Sequence, residues 1–143
     1  MTAQLVFEEN NAYNTKVNLD LIDHLKQQSP DEERIITLMS HIANAHQIWL
    51  ERIQGKPNST AVFEVHTLDQ LKEQVIANAQ LTTEILNSAY LDKQITYQNT
   101  KGQTFVNSIS QILLHVFNHS SYHRGQINQL LVKEGKKAMI TDY

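Results

Sequence analysis

One segment carries the most information about the fold of this chain: residues 108–135, SISQILLHVFNHSSYHRGQINQLLVKEG. Its apolar residues recur at spacings of three and four, which is the periodicity of an amphipathic α-helix. Ser108 with Gln111 three residues later is a capping box that begins a helix, and Gly135 with its neighbouring lysines ends one. The segment therefore predicts a helix of about seven turns with one apolar face.

Three more segments show the same periodicity and predict helices. They run from about Leu5 to Gln28, from Ser29 to about Ile53, and from Thr67 to about Tyr90. The second is expected to begin with Ser29 as N-cap, Pro30 in the first helical position and Glu32 completing a capping box. Four amphipathic helices predict an all-α fold, a four-helix bundle in a single domain of residues 1–143.

The residues between the third and fourth helices have a different pattern. Ile95 and Tyr97 alternate with polar residues, 99–102 (NTKG) are typical of a turn, and a short apolar stretch follows at 104–106. Alternation with a period of two on both sides of a turn indicates extended strands. The sequence therefore predicts a short hairpin or an extended crossing between helices 3 and 4.

Composition excludes several classes of function. Twelve Lys and Arg against 15 Asp and Glu give a net charge of −3, so nucleic-acid binding is not expected. No apolar run approaches the length of a membrane span, and the N-terminus has no signal-peptide pattern. The chain has no cysteine, which excludes thiolate metal sites and cysteine nucleophiles and fits a reducing compartment. We expect a cytoplasmic protein.

Histidine is the residue that stands out, with seven in the chain and three at a spacing of four on the fourth helix. A step of four advances about 40° around a helix and about 6 Å along it, so neighbouring histidines can share one ion. The outer two, His115 and His123, are about 80° and about 12 Å apart, too far to do so. A helical wheel places His123 inside the apolar face, His119 at its edge and His115 outside it. The inward-pointing pair is therefore His119 and His123.

A third ligand could come from the second helix, which contains His41 and His46. The two differ by about 140° around the axis, so only one should face a given site. The wheel mildly favours His46 and leaves the choice open, because this helix is apolar around most of its circumference. Three neutral imidazoles would form an open site for a divalent ion, and imidazole suits zinc, nickel and iron alike. The alternative interpretation is a polar core network without metal.

The stretch from His115 to Ile127, HVFNHSSYHRGQI, resembles the signature of the DinB-like family of damage-inducible four-helix metalloproteins. The second helix fits through Ser40-His41 and the stretch 48–52 (IWLER), and the first gives a weaker match at 13–14 (YN) and 17–18 (VN). The resemblance covers nearly the whole chain. It implies a bundle that holds one divalent ion through His41, His119 and His123. His41 lies eight residues before Trp49, as in the family pattern, whereas His46 is not part of that pattern.

Some members of that family resemble thiol-dependent S-transferases, which use the metal to activate a low-molecular-weight thiol such as bacillithiol or mycothiol. The resemblance therefore implies a metal-dependent thiol transferase or hydrolase, with a small thiol or water and an electrophilic small molecule as reactants. Five residues could contact the ligands or the substrate: His46, His115, Asn118, Tyr122 and Arg124.

The alternative function is a non-catalytic module. In such a module the metal joins the second helix to the fourth, and the helices form a surface for a dimer or another partner. A homodimer is expected in either case. An enzyme needs an open coordination position, whereas a structural ion would be sealed by a fourth side chain, which we expect to be His46.

Overall fold

The computed structural model describes residues 2–143, which form four helices and two short strands. Their bounds are α1 Ala3–Gln28, α2 Glu33–Ile53, α3 Leu68–Ser88, β1 Gln94–Gln98, β2 Thr104–Ser108 and α4 Ile109–Lys133. The capping box predicted for the fourth helix is present, and the third helix, predicted to begin at Thr67, also begins with a capping box. In each, the N-cap hydroxyl accepts from the N3 backbone N–H and the N3 glutamine accepts from the N-cap backbone N–H. These two helix starts are therefore confirmed.

The predicted start of the second helix is wrong. Ser29 adopts a left-handed conformation and donates its backbone N–H to Leu25, so it ends α1 instead of beginning α2. Pro30 follows it and disfavours a helical conformation for Ser29. The backbone N–H groups of Asp31 and Glu32 donate to the carboxylate of Glu134, which keeps this link out of the helix. The N-cap of α2 is Glu32, whose side chain accepts from the N–H of Arg34.

The segment before α4 is a hairpin, which settles the choice between a hairpin and an extended crossing. Strands β1 and β2 pair antiparallel, with Tyr97 opposite Phe105. In the turn, the Asn99 carboxamide oxygen accepts from the N–H of Lys101 and of Gln103, and Gly102 has a φ of +76° that suits glycine. Ser108 is the last residue of β2 and also the N-cap of α4, so the hairpin is fixed to the start of that helix.

The four helices contact one another in a closed ring. Helices α1 and α2 each pack against both α3 and α4. The chain is therefore mostly helical with one small two-stranded sheet, which confirms the predicted all-α class in this coarse sense. No helix among residues 2–143 is long and apolar enough to cross a membrane.

The interior has two apolar clusters with polar side chains between them. One cluster centres on Leu25, Met39 and Leu131, and the other on Leu50, Leu113 and Phe117. At the middle of the helices lie buried polar residues: Asn14, Asn18, His46, Asn78, Thr82, Ser120 and Arg124. Buried polar groups need partners, so hydrogen bonds between the helices add to the apolar packing at this level. The metal-ligand candidates lie at about this level on α2 and α4.

Candidate metal centre

Three histidines from two packed helices converge on one point. His41 comes from α2, and His119 and His123 from α4. The Nε2 atom of His119 lies 2.9 Å from Nε2 of His41 and 3.1 Å from Nε2 of His123. One ligand atom from each residue lies within 4.8 Å of the others, and no fourth His, Asp or Glu of residues 2–143 joins the group. The three histidines can therefore form a metal site.

The outer nitrogens of two of these imidazoles are held by the protein. His41 donates from Nδ1 to the carbonyl oxygen of Val62 at 3.1 Å. His123 donates from Nδ1 to the carboxamide oxygen Oε1 of Gln126 at 2.7 Å. A neutral imidazole carries one proton, so both Nε2 atoms present a lone pair to the centre of the group. This is the arrangement of a metal-ligating histidine whose second nitrogen is fixed by a hydrogen bond.

The three Nε2 atoms at the centre of the group have more lone pairs than protons, and a bound cation would satisfy the lone pairs. His119 can supply one Nε2 proton at most, yet its Nε2 faces the lone pairs of two neighbours. Burial, together with the neighbouring imidazoles of His123 and His41, lowers the pKa of His119 to about 3. Burial also lowers the pKa of His41, against an opposing hydrogen bond to Val62. His41 and His119 are therefore neutral near pH 7, which is the form that binds zinc, nickel or iron.

Aromatic side chains flank the group on its solvent side. The ring of Phe63 stacks on His41 with centroids 4.6 Å apart, although 63% of Phe63 is exposed. Tyr122, 65% exposed, lies edge-on to His123 at 5.1 Å. His115 is exposed, and its ring centroid lies 5.7 Å from that of His119. The group thus borders solvent with an apolar rim, instead of lying sealed in the core.

The other residues singled out from the sequence lie at different distances from this group. His46, which the helical wheel favours, is buried against α3 and donates from Nε2 to the hydroxyl of Thr82 at 2.9 Å. Arg124 is buried and contacts Asn14 and Asn18 of α1. Asn118 is exposed on α4. Of the five candidates, only His115 and Tyr122 lie against the histidine group.

Sequence reasoning missed three residues that shape the group: Val62, Phe63 and Gln126. Gln126 could have been found, because it lies one turn after His123 on the same helix face and carries an acceptor. Val62 and Phe63 lie in the connection between α2 and α3, which has no periodicity to place its residues. The contact of Val62 is made by its backbone carbonyl, which every residue type has, so the sequence could not indicate it.

We expect Gln126→Leu to weaken metal binding by about tenfold to a hundredfold, because it removes the acceptor that orients His123. The measurement is a competition titration of the purified protein with a chromogenic chelator. Gln129→Leu, an exposed position on the same helix, is the matched control and should leave the affinity unchanged. Equal affinities in the Gln126 variant and the parent would show that this hydrogen bond does not support the ligand.

His46 should make stability depend on pH. Burial lowers its pKa from 6.5 to about 4, so the unfolded chain binds a proton more readily than the folded one. The contribution of His46 to the free energy of unfolding is complete above pH 6.5 and is lost as the pH falls toward 4. Between pH about 7.5 and about 5 the loss amounts to about 2 kcal/mol in the free energy of unfolding. Urea unfolding of metal-free protein at the two pH values measures it, and His46→Gln should remove this part of the change. An identical change in parent and variant would contradict the assignment.

Comparisons with known proteins identify the family of this chain. The model of the DinB family matches residues 19–143, which include all three histidines. The chain is also similar to Protein DinB of Bacillus subtilis (strain 168), with 29% identity over 154 aligned residues that cover 92% of this chain and 87% of the relative. No solved structure matches. The chain belongs to the DinB family.

Proposed function

We propose that this protein is a metal-dependent enzyme built on a four-helix bundle, which transfers a small thiol to an electrophilic compound. His41, His119 and His123 hold one divalent ion. The observation that carries the proposal is the convergence of three imidazole Nε2 atoms at the border of solvent with no fourth protein ligand among residues 2–143. Three protein ligands with an open position are typical of catalytic sites, whereas structural sites have four.

When bound, a divalent ion supplies Lewis-acid chemistry: it lowers the pKa of a thiol or water, so that a nucleophile forms near neutral pH. The residues of this chain do the rest. Val62 and Gln126 hold the imidazoles of His41 and His123 in one orientation, so binding requires little rearrangement. Phe63 and Tyr122 place aromatic ring surface beside His41 and His123, which suits an apolar electrophile. The chain has no cysteine, so the thiol must come from a cosubstrate.

The alternative is a non-catalytic module in which the ion joins α2 to α4. That reading needs a fourth side chain to close the coordination sphere, and His46 was the expected one. His46 instead donates to Thr82 on α3, which favours the enzyme. A hydrolase that activates water would use the same residues and differ only in the nucleophile. The homodimer and the cytoplasmic location expected from the sequence stay predictions.

A thiol-transfer assay tests the proposal. Metal-loaded protein is incubated with chlorodinitrobenzene and a panel of small thiols that includes bacillithiol and mycothiol. In the reaction the sulfur bonds to the ring carbon, chloride leaves, and the thiol proton goes to solvent. We expect turnover that requires the metal and is lost in His123→Ala, while His24→Ala, a histidine of α1 that contacts the backbone of Lys137, keeps it. No turnover with any thiol, or equal rates with and without metal, would refute the transferase.

A further inference from the structure

The connection between α2 and α3 supplies two of the groups that contact His41. The carbonyl oxygen of Val62 accepts from Nδ1 of this imidazole, and the ring of Phe63 stacks on its face. Residues 54–67, all of which the structure describes, contain no helix and no strand. Because no regular backbone ladder fixes this connection, the position of the Val62 carbonyl depends on the side chains that bind the connection.

Asn44 is a fully buried residue of α2 that binds the middle of this connection, three residues after His41. Its Nδ2 lies 2.8 Å from the carbonyl oxygen of Glu64 and 3.4 Å from that of Val62. A carboxamide nitrogen carries two N–H groups, so one can serve each carbonyl. The Val62 carbonyl therefore accepts from two residues that lie side by side on α2, the histidine and the asparagine.

The oxygen of the Asn44 carboxamide has partners that fix which way round the group lies. Nε2 of His66 donates to Oδ1 of Asn44 at 2.8 Å, and Nε2 of Gln74 donates to it at 3.1 Å. A flipped carboxamide would turn its oxygen toward two carbonyl oxygens and its nitrogen toward these donors. Since Gln74 belongs to α3, Asn44 joins α2, the connection and α3 in one hydrogen-bonded unit.

Two other residues of α2 bind the ends of the same stretch of the connection. The hydroxyl of Ser40 accepts from the backbone N–H of His66 at 3.1 Å, and the carboxylate of Glu51 accepts from that of Ser59 at 3.0 Å. Ser40, Asn44 and Glu51 are spaced by four and seven residues, so they share one face of α2. The connection thus lies along a polar stripe of this helix, and Asn44 holds its middle.

We propose that Asn44 is a positioning residue for the histidine group: it holds the Val62 carbonyl against His41 and so keeps the proton of that imidazole on Nδ1. A carbonyl oxygen accepts only from a protonated ring nitrogen, so its position selects the tautomer. With the proton on Nδ1, the lone pair of Nε2 points to the centre of the group. The effect on metal affinity rests on the proposed function, whereas the tautomer is a property of the metal-free protein.

Asn44→Leu tests this role, because leucine has a similar size and neither donor nor acceptor. In the metal-free unmodified protein at neutral pH, the ring nitrogen chemical shifts of His41 should show the proton on Nδ1. We expect the variant to lose this preference and to bind metal about tenfold more weakly in a competition titration. Asn78→Leu is the matched control, since Asn78 is also buried but donates to the backbone carbonyl of Ala43 within α2. It should destabilise the fold to a similar extent and leave both readouts unchanged.

The two readouts separate this proposal from the metal chemistry. An unchanged His41 tautomer in Asn44→Leu, or an equal loss of affinity in Asn44→Leu and Asn78→Leu, would mean that Asn44 only stabilises the fold, and the proposal is then wrong. If the unmodified protein binds no metal, the proposed function fails, and the tautomer alone decides the role of Asn44.

Hydrogen exchange of the unmodified protein gives a test that does not depend on how any variant folds. The side-chain N–H groups of Asn44 should exchange with solvent at least about tenfold more slowly than those of Asn58, which is exposed in the same connection. Equal exchange rates would show that Asn44 does not hold the two carbonyls, and would overturn the proposal.

Discussion

Replacing His119 with alanine is expected to reduce the metal content of the purified protein from about one divalent ion per chain to background. His119 is the central residue of the group, since its Nε2 lies within 3.1 Å of the Nε2 atoms of both His41 and His123. Without it, two imidazoles on different helices remain, and two ligands do not retain an ion through dialysis. Elemental analysis of dialysed protein measures the content, and the melting temperature with and without added metal gives an independent readout.

Two further substitutions test which residue of α2 is the third ligand. His41→Ala should weaken binding far more than His46→Ala, because His46 is buried against Thr82 and lies outside the group. His24→Ala is the control for a histidine elsewhere, since its ring contacts the backbone of Lys137. If His46→Ala were the more damaging change, the helical wheel would be right and the arrangement described above would be wrong.

The second large effect is on stability. Arg124→Ala should lower the free energy of unfolding by about 3 kcal/mol, because it leaves buried acceptors without a donor. Arg124 is 3% exposed, and its Nη1 lies 2.7 Å from Asn14 Oδ1 and 2.8 Å from Asn18 Oδ1. Its Nη1 also contacts the hydroxyl of Ser120. No carboxylate of residues 2–143 pairs with this guanidinium, so neutral oxygens alone compensate its burial. Urea unfolding of metal-free protein measures the loss.

Matched variants distinguish the loss of the Arg124 hydrogen bonds from the general effect of removing an arginine. Arg34→Ala, at an exposed position of α2, should change the free energy of unfolding by less than about 0.5 kcal/mol. Replacing Asn14 and Asn18 with leucine in the Arg124→Met background should recover part of the loss, because the orphaned acceptors are then gone. A loss below about 1 kcal/mol in Arg124→Ala would show that water replaces the guanidinium without cost.

Much of the fold could be predicted from local signals. The capping boxes at Thr67 and Ser108 begin helices as expected, because the side chains that satisfy the first N–H groups lie within three residues. The prediction that Ser29 begins a helix was wrong because a distant residue acts on this link. Glu134, more than 100 residues later, accepts from the backbone N–H groups of Asp31 and Glu32, the residues that follow Pro30. Capping chemistry predicts a helix start only where no tertiary contact competes for the same backbone groups.

The histidine group could likewise be predicted from the sequence only in part. The sequence by itself determined that His119 and His123 share a face of one helix, since a spacing of four fixes their separation wherever the helix packs. Helix periodicity mildly favoured His46 and could not exclude His41, because α2 is buried around most of its circumference, and only the family resemblance pointed to His41. The packing of α2 against α4 on one side and α3 on the other places His41 toward α4 and His46 toward Thr82.

Only the tertiary structure could bring the Val62 carbonyl to His41, or Arg52 and Trp49 of α2 to Tyr97 of the hairpin. These contacts join segments that are distant in the chain, and periodicity within one segment carries no information about them.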